Sequence, residues 1–254
     1  MREQFDLKGK VAIITGSSKG IGAAMAHGLA AHGAKVVVSS RDQAAVNAVA
    51  EEIKKLGFEA TGIACHVGDE AQLSQLVEKT IATYGGVDIL INNAAINPTF
   101  GPLADTELGA FDKIMSVNLR SCFILSNLCL PSMKERGGGS IINIASVEGL
   151  KPSQGLGPYS VSKAALIMLT KSQAKEWGAF GVRSNAVCPG LVQTKLSAGL
   201  WQNEKILDSI TKHLPSGRMA QPEEMSGLAI FLASEASSYC TGGVYTADGG
   251  YMIA

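Results

Sequence analysis

The sequence predicts an α/β fold: a single doubly wound domain in which a seven-stranded parallel sheet carries helices on both faces. Two observations carry this prediction. Short runs rich in β-branched residues alternate strictly with segments of helical period, which implies βαβ units with right-handed crossovers. The runs are also almost continuously apolar, as strands covered on both faces must be.

The elements follow in order. Val11 to Ile14 is the first run, and the helix after it spans Gly20 to Ala31. Val36 to Ser39 leads to a helix over Ala44 to Leu56, and the weaker run Ala60 to Cys65 to one over Glu70 to Tyr84. Val87 to Ile91 precedes a long helix from Glu107 to Leu130, where Pro131 marks the stop through its missing N–H and its ring. Ser140 to Ile144 precedes a helix over Pro158 to Phe180, and Arg183 to Val187 and Val244 to Thr246 complete the sheet. The long interruption from Leu191 to Gln221 sits at the carboxyl edge of the sheet, with short helices expected within Leu196 to Ile210. A long insertion there reads as a substrate lid, the alternative being a peripheral helix pair that only packs.

At 254 residues the chain buries enough surface to need neither disulfide nor metal. Lys plus Arg balances Asp plus Glu at 22 each, so no net charge points to a nucleic acid or an anionic membrane. The five cysteines, Cys65, Cys122, Cys129, Cys188 and Cys240, form no CxxC and read as buried thiols of a reducing cytoplasm. Neither a signal peptide nor a run of about 18 apolar residues is expected. The four histidines share no metal-ligand spacing, so no catalytic metal is expected.

Thr15-Gly16-Ser17-Ser18-Lys19-Gly20-Ile21-Gly22 lies between the first strand and its helix. Glycines let a backbone turn sharply and approach a pyrophosphate, and the helix N-terminus adds free N–H groups and partial positive charge. This turn is expected to bind a nicotinamide dinucleotide. Where an acid would take the ribose 2′-OH of NAD(H), the second strand ends in Ser40, and Arg41 follows. Arg41 and Lys19 suit a 2′-phosphate, which favours NADP(H). The alternative makes Arg41 a solvated charge and gives the ribose to Asp42.

Tyr159 and Lys163 stand at i and i+4, on one face of a helix. A phenol is a poor acid–base at neutral pH unless its phenolate is stabilised, which a neighbouring ammonium does. Ser146 falls just past the fifth strand, where a hydroxyl meets substrate oxygen. Asn118 lies in mid-helix between Val117 and Leu119, and a buried amide there needs partners.

TGSSKGIG from Thr15, NNAA from Asn92, Asn118, Ser146, YSVSK from Tyr159 and PG at Pro189-Gly190, with Thr194 behind, resemble the classical short-chain dehydrogenase/reductase family, NADP(H)-preferring type, from Lys10 to about Asp248. The resemblance implies a Rossmann-type domain over the whole chain and a catalytic set of Asn118, Ser146, Tyr159 and Lys163. Tyr159 would exchange a proton with the carbonyl or alcohol oxygen, which Ser146 would orient. Lys163 would hold the nicotinamide ribose and lower the Tyr159 pKa, and Asn118 would anchor a proton-relaying water chain. Asn92 would shape the cofactor cleft. Gly16, Ser18, Lys19, Gly20 and Ile21 would contact the cofactor from the turn, Ser40 and Arg41 from the second strand. His66, Val67 and Asn93 would follow, then Tyr159 and Lys163, and finally Pro189, Gly190, Val192 and Thr194. The Pro189 carbonyl and the Thr194 hydroxyl would lie near the nicotinamide. Two positions depart from the family pattern: Ala95 stands where it has Gly, and His66 where an Asp contacts adenine. His66 either donates to the adenine ring or caps the strand.

Val147, Glu148, Gln154, Leu191 to Gln193 and Leu200-Trp201 are expected to wall the substrate pocket, with Asn97 to Phe100 at its mouth. Glu148 either binds a polar substrate group or points to water. Cys122, Leu125 and Cys129, with Ala164, Ala165, Met168 and Leu169, form apolar stripes on two helices. In the family these helices join subunits, implying a homotetramer, or at least a dimer, while the plain alternative is intramolecular core. The expected activity is NADP(H)-dependent interconversion of a carbonyl and a secondary alcohol. The alternatives are 3-oxoacyl thioester reduction and a non-catalytic dinucleotide sensor.

Overall fold

The computed structural model describes residues 2 to 254. Seven strands form one sheet: β1 (Val11–Thr15), β2 (Lys35–Ser40), β3 (Ala60–Ala64), β4 (Ile89–Asn92), β5 (Gly139–Ile144), β6 (Val182–Pro189) and β7 (Val244–Ala247). Their order is β3-β2-β1-β4-β5-β6-β7, and every neighbouring pair is parallel. This is the doubly wound sheet that the alternating pattern predicts. The chain passes from the β3 edge back to the centre at β4, so the switch in winding lies between β1 and β4, where open sheets of this kind bind ligands.

β1 is buried throughout, as its run of Val, Ala and Ile requires. One apolar layer packs Met25 and Leu29 of α1 (Gly20–Ala31), with Val46 and Ile53 of α2 (Gln43–Lys55), against Ala12, Ile14, Val36 and Val38. On the opposite face, Leu73 and Leu76 of α3 (Glu70–Tyr84) meet Ile13, Val37, Leu90 and Ile141.

The helix after β4 departs from expectation at both its middle and its end. It runs as α4 (Leu108–Met115), a π-helical turn over Ser116–Arg120, and α5 (Ser121–Glu135). Pro131 therefore does not stop it. Beyond the proline, Met133 is fully buried, Ser132 accepts from the Val87 N–H, and Arg136 pairs with buried Asp88. These contacts offset the lost helical bond. The stop comes instead at Gly137 (φ 81°), with the Gly138 N–H donating to the Met133 carbonyl. By length and mean hydropathy the 28-residue helix would suffice to cross a membrane, although it holds no unbroken run of about 18 apolar residues. Here Leu125, Cys129 and Met133 on its inner face pack into the core.

The same packing corrects the expected interhelix stripe. Cys122, Leu125 and Cys129 belong to the core, and the exposed apolar residue on α5 is Phe123. On α6 (Gly157–Trp177), Val161 and Met168 are exposed. After β6 the chain forms the bridge Val192↔Ala220, which ties together the two ends of the 191–221 segment. Between them lie two short helices, α7 (Ala198–Trp201) and α8 (Glu204–Thr211), with Trp201 Nε1 donating to the Thr194 carbonyl at 2.9 Å. The last helix, α9 (Ser226–Ala233), packs on α1 before β7 completes the sheet.

Candidate active site

The glycine turn leaves the carboxyl end of β1 and enters α1. Gly16 (φ 65°) and Gly20 (φ 58°) adopt the left-handed backbone that only glycine takes freely. Gly22 is required for a different reason: a Cβ there would lie 2.5 Å from Asn93 Nδ2. That amide donates to the carbonyls of Thr15 (2.8 Å) and Gly16 (3.1 Å), while the Asn93 N–H donates to Thr15 Oγ1 (3.0 Å). The amide of Asn93, expected on the cofactor, thus holds the turn in place. No pattern in the sequence announces this role.

α2 and α3 are capped by the carboxylates of Asp42 and Asp69. α1 is not: its N-cap residue, Lys19, offers no side-chain acceptor. The N–H groups of its first turn are left for an anion. They open on a cleft of about 670 Å³ lined by Gly16, Ser18, Lys19, Gly20, Ile21, Ser40, Arg41, His66, Val67, Asn93 and Thr194. That volume is typical of small-molecule sites. Lys19, Arg41, Lys113 and Lys195 all line it, none in an ion pair among the described residues. Lys113 and Lys195 were not anticipated as cofactor contacts. The one carboxylate lining the cleft, Asp42, accepts from the N–H groups of Ala44 (2.9 Å) and Ala45 (3.2 Å). It is committed to capping α2. His66 Nδ1 accepts from the Gly68 N–H at 3.1 Å, so the neutral ring carries its proton on Nε2 as a donor. These groups suit a dinucleotide: a pyrophosphate at the uncapped helix, and cations beside the adenosine end.

Five of the expected positions have surroundings that the sequence does not show. Val192 is 3% exposed and packs in the core, so only its backbone can serve a ligand. Thr194 lies at the glycine turn, with its Cγ2 3.4 Å from where a Gly20 Cβ would stand, and its hydroxyl pairs with Ser197 at 3.0 Å. It lines the cleft beside the glycine turn. Asn92 faces away from the cleft, donating to Asn143 Oδ1 (2.8 Å) and Ser126 Oγ (3.2 Å) in a buried network that continues to Thr170 and Gln173. Pro189 ends β6 in the core, and Gly190 packs on Asp248, where a Cβ would come within 2.8 Å of backbone.

Ser146, Tyr159 and Lys163 converge at the carboxyl ends of β5 and β6. Ser146 caps the turn Val147–Gly149, its Oγ accepting from the Glu148 N–H at 3.1 Å. Lys163 is 2% exposed, its Nζ donating to the Ile144 carbonyl at 2.7 Å and standing 5.6 Å from the centre of the Tyr159 ring. Burial brings its pKa down to about 8. Burial drives the Tyr159 phenol the other way, to about 12, against an opposing hydrogen bond from Ser146. Burial decides the direction, and Lys163, 5.6 Å from the ring centre, is not among the groups that shift the phenol here.

Asn118 sits in the π-helical turn, and such turns are frequent where function demands an unusual backbone. Its Oδ1 accepts from the Ile96 N–H (2.9 Å), and its Nδ2 donates to the Ile96 carbonyl (3.0 Å) and to Ser162 Oγ (3.1 Å). The amide is thus spent joining the loop after β4 to the catalytic helix. Glu148 does not simply point to water. Its carboxylate accepts from the Ser153 N–H (2.8 Å), Ser153 Oγ (2.7 Å) and Ser160 Oγ (3.2 Å). Buried Cys188, beside Tyr159, has its thiol pushed up to about 11, which leaves it a neutral neighbour.

A parallel sheet with a glycine turn at its switch point and a Ser, Tyr and Lys set at the same edge defines a dinucleotide-binding oxidoreductase. Comparison with known proteins narrows the class. The family model described as enoyl-(acyl carrier protein) reductase matches residues 16–252. Dehydrogenase/reductase SDR family member 4 of Oryctolagus cuniculus is 42% identical over 244 residues, covering 96% of this chain and 94% of the relative. A gluconate 5-dehydrogenase from Burkholderia cenocepacia, solved with NADP and tartrate, superposes with a TM-score of 0.96 at 36% identity, covering 100% of this chain and 99% of its own. A 7α-hydroxysteroid dehydrogenase, solved with NADH and 7-oxo glycochenodeoxycholic acid, gives 0.95 at 35% identity, covering 98% and 97%. The chain belongs to the short-chain dehydrogenase/reductase family.

Proposed function

We propose that this protein is an NADP(H)-dependent carbonyl reductase, interconverting a ketone and a secondary alcohol. The observation that carries the reading is the convergence of Ser146, Tyr159 and Lys163 beside a cleft whose adenosine end is cationic. Lys19 and Arg41 provide for a 2′-phosphate, and Asp42, the rival partner for a ribose, is occupied capping α2. The NADP of the gluconate 5-dehydrogenase supports this choice, whereas the NADH of the steroid dehydrogenase shows that the fold accommodates either.

When bound, the nicotinamide supplies or takes the hydride. The chain's own residues do the rest. Ser146 donates a hydrogen bond to the substrate oxygen. Tyr159, protonated at neutral pH, gives that oxygen its proton in reduction. Lys163, fixed on the Ile144 carbonyl, presents its remaining N–H groups to the ribose. Asn118 holds the loop after β4 against α6, and any proton relay runs through its main chain, since its amide is occupied. The 191–221 segment closes over the cleft as a lid, hinged at Val192↔Ala220, with Lys195 and Leu196 already lining the cleft. The exposed Phe123, Val161 and Met168 join copies of the chain into a homotetramer.

A panel of ketones and alcohols, followed by nicotinamide absorbance with NADPH, NADH, NADP and NAD in parallel, tests this reading. NADPH-dependent reduction of at least one ketone is the expected result. NADPH binding without turnover across the panel would favour the sensor.

A further inference from the structure

The Glu148 carboxylate is half-buried and has no cationic partner among the described residues, yet three donors converge on it. Two are the N–H and hydroxyl of Ser153, which close the segment from 148 to 153 into a loop. The third is the hydroxyl of Ser160, the residue after Tyr159. The Glu148 N–H in turn donates to Ser146 Oγ. One residue therefore connects, through its two ends, the hydroxyl of Ser146 to the first turn of the helix that carries Tyr159. Ser153 Oγ also meets Tyr251 Oη at 3.3 Å, and Lys151 Nζ stands 5.3 Å from the Tyr251 ring centre. The clasp thus reaches the turn Tyr251–Ile253 beyond β7.

Resting on the proposed roles of Ser146 and Tyr159, we infer that Glu148 is a positioning residue for proton transfer, its carboxylate setting the spacing of those two side chains. Carboxylates are strong acceptors, so three converging donors hold the loop in one geometry. Small misplacements of reacting groups are costly in rate. The charged or titratable groups facing Tyr159 are Glu148 from the turn, Lys163 from its own helix and Cys188 from β6. Cys188 is neutral, with Asp248 beyond it, and Lys163 is largely protonated at neutral pH. Glu148 is thus the nearby anion, and it pushes the phenol pKa upward.

The test compares Glu148→Gln, Glu148→Ala and Tyr159→Phe with the wild type. Kinetics are read with NADPH and 2,3-butanedione. Tyrosinate absorbance at 295 nm is read for each NADP complex against Tyr159→Phe. NADPH fluorescence reports a folded cofactor site. Glu148→Ala is expected to lower kcat about 10- to 100-fold with NADPH affinity intact. Glu148→Gln keeps an acceptor and the volume, so much of kcat should return. Its Tyr159 titration should move to lower pH, by about one pH unit. An unmoved titration in Glu148→Gln, or wild-type kcat in Glu148→Ala, overturns the inference. Wild-type turnover in Tyr159→Phe overturns the underlying reading instead, so the two failures are told apart. If 2,3-butanedione is not reduced, the tyrosinate titration decides alone.

Discussion

Replacing Lys163 with Met should make the protein more stable while removing its turnover. The Lys163 ammonium is buried and its pKa falls from an ordinary 10.5 to about 8. At about 1.4 kcal/mol per pH unit, that gap corresponds to roughly 3 kcal/mol of folding stability lost by keeping the charge inside at neutral pH. Met fills a similar volume without the charge, but it leaves the Ile144 carbonyl without its 2.7 Å donor, which costs about 1–2 kcal/mol. The net expectation at pH 7 is a gain of about 1–2 kcal/mol, or a rise in Tm of roughly 3–6 °C for a chain of this size. The sign depends on pH in a defined way. Below about 8 the wild-type lysine is charged in both states and the full penalty applies. As pH rises from about 8 to 10.5 the folded state alone gives up its proton, and the advantage of the Met variant fades. Urea unfolding of the cofactor-free proteins, followed by circular dichroism at pH 7 and pH 10, measures both. A Met variant less stable at pH 7, or equally favoured at both pH values, would refute the reasoning.

Other expectations bear on different parts of the molecule. Arg41→Asp should lower the NADP-to-NAD ratio of kcat/KM by about 100-fold, because a carboxylate repels the 2′-phosphate and accepts from a ribose hydroxyl; an unchanged ratio removes Arg41 from the phosphate site. Met168→Glu places a charge on the exposed face of α6 and should reduce the sedimentation mass of the assembly without lowering Tm by more than a degree or two. Asn118→Leu leaves both backbone groups of Ile96 without partners and should destabilise the protein by about 2–4 kcal/mol, read by urea unfolding. In the wild type, reduction should be nearly constant from pH 6 to 9 as far as Tyr159 is concerned, since its phenol titrates at about 12. Oxidation should rise through that range, and initial rates in the two directions check the sign.

The strands and most helices were legible because burial on two faces imposes continuous apolar runs, as in Val36 to Val38 and Ile89 to Ile91. Their ends fell within a residue or two of expectation. Pro131 misled because its local penalty is countered by contacts distant in sequence, at Val87 and Asp88. The residues of the glycine turn do gather at the switch point, and Ser146, Tyr159 and Lys163 at the ends of β5 and β6, but what several of the named residues do is not legible. Asn92, Asn93 and Asn118 differ only in which neighbours their amides meet, and those neighbours lie 22 to 78 residues away. Asn127, on the same long helix as Asn118, donates to the Phe123 carbonyl one turn away. The surroundings of Glu148 are not legible because the serines that satisfy it carry no signal of their own. The balance between Tyr159 and Lys163 was misjudged for a different reason: desolvation depends on three-dimensional burial, which an i,i+4 spacing does not report.

The Tyr159→Phe variant tests the central claim most directly. Phe removes one hydroxyl from a side chain whose ring stays packed, so NADPH fluorescence titration should return wild-type affinity. Turnover of any ketone reduced by the wild type should fall below about one part in a hundred, since general acid catalysis contributes about 10²–10⁴. Turnover near the wild-type rate, with the same pH dependence, would contradict the assignment of Tyr159 as the proton donor.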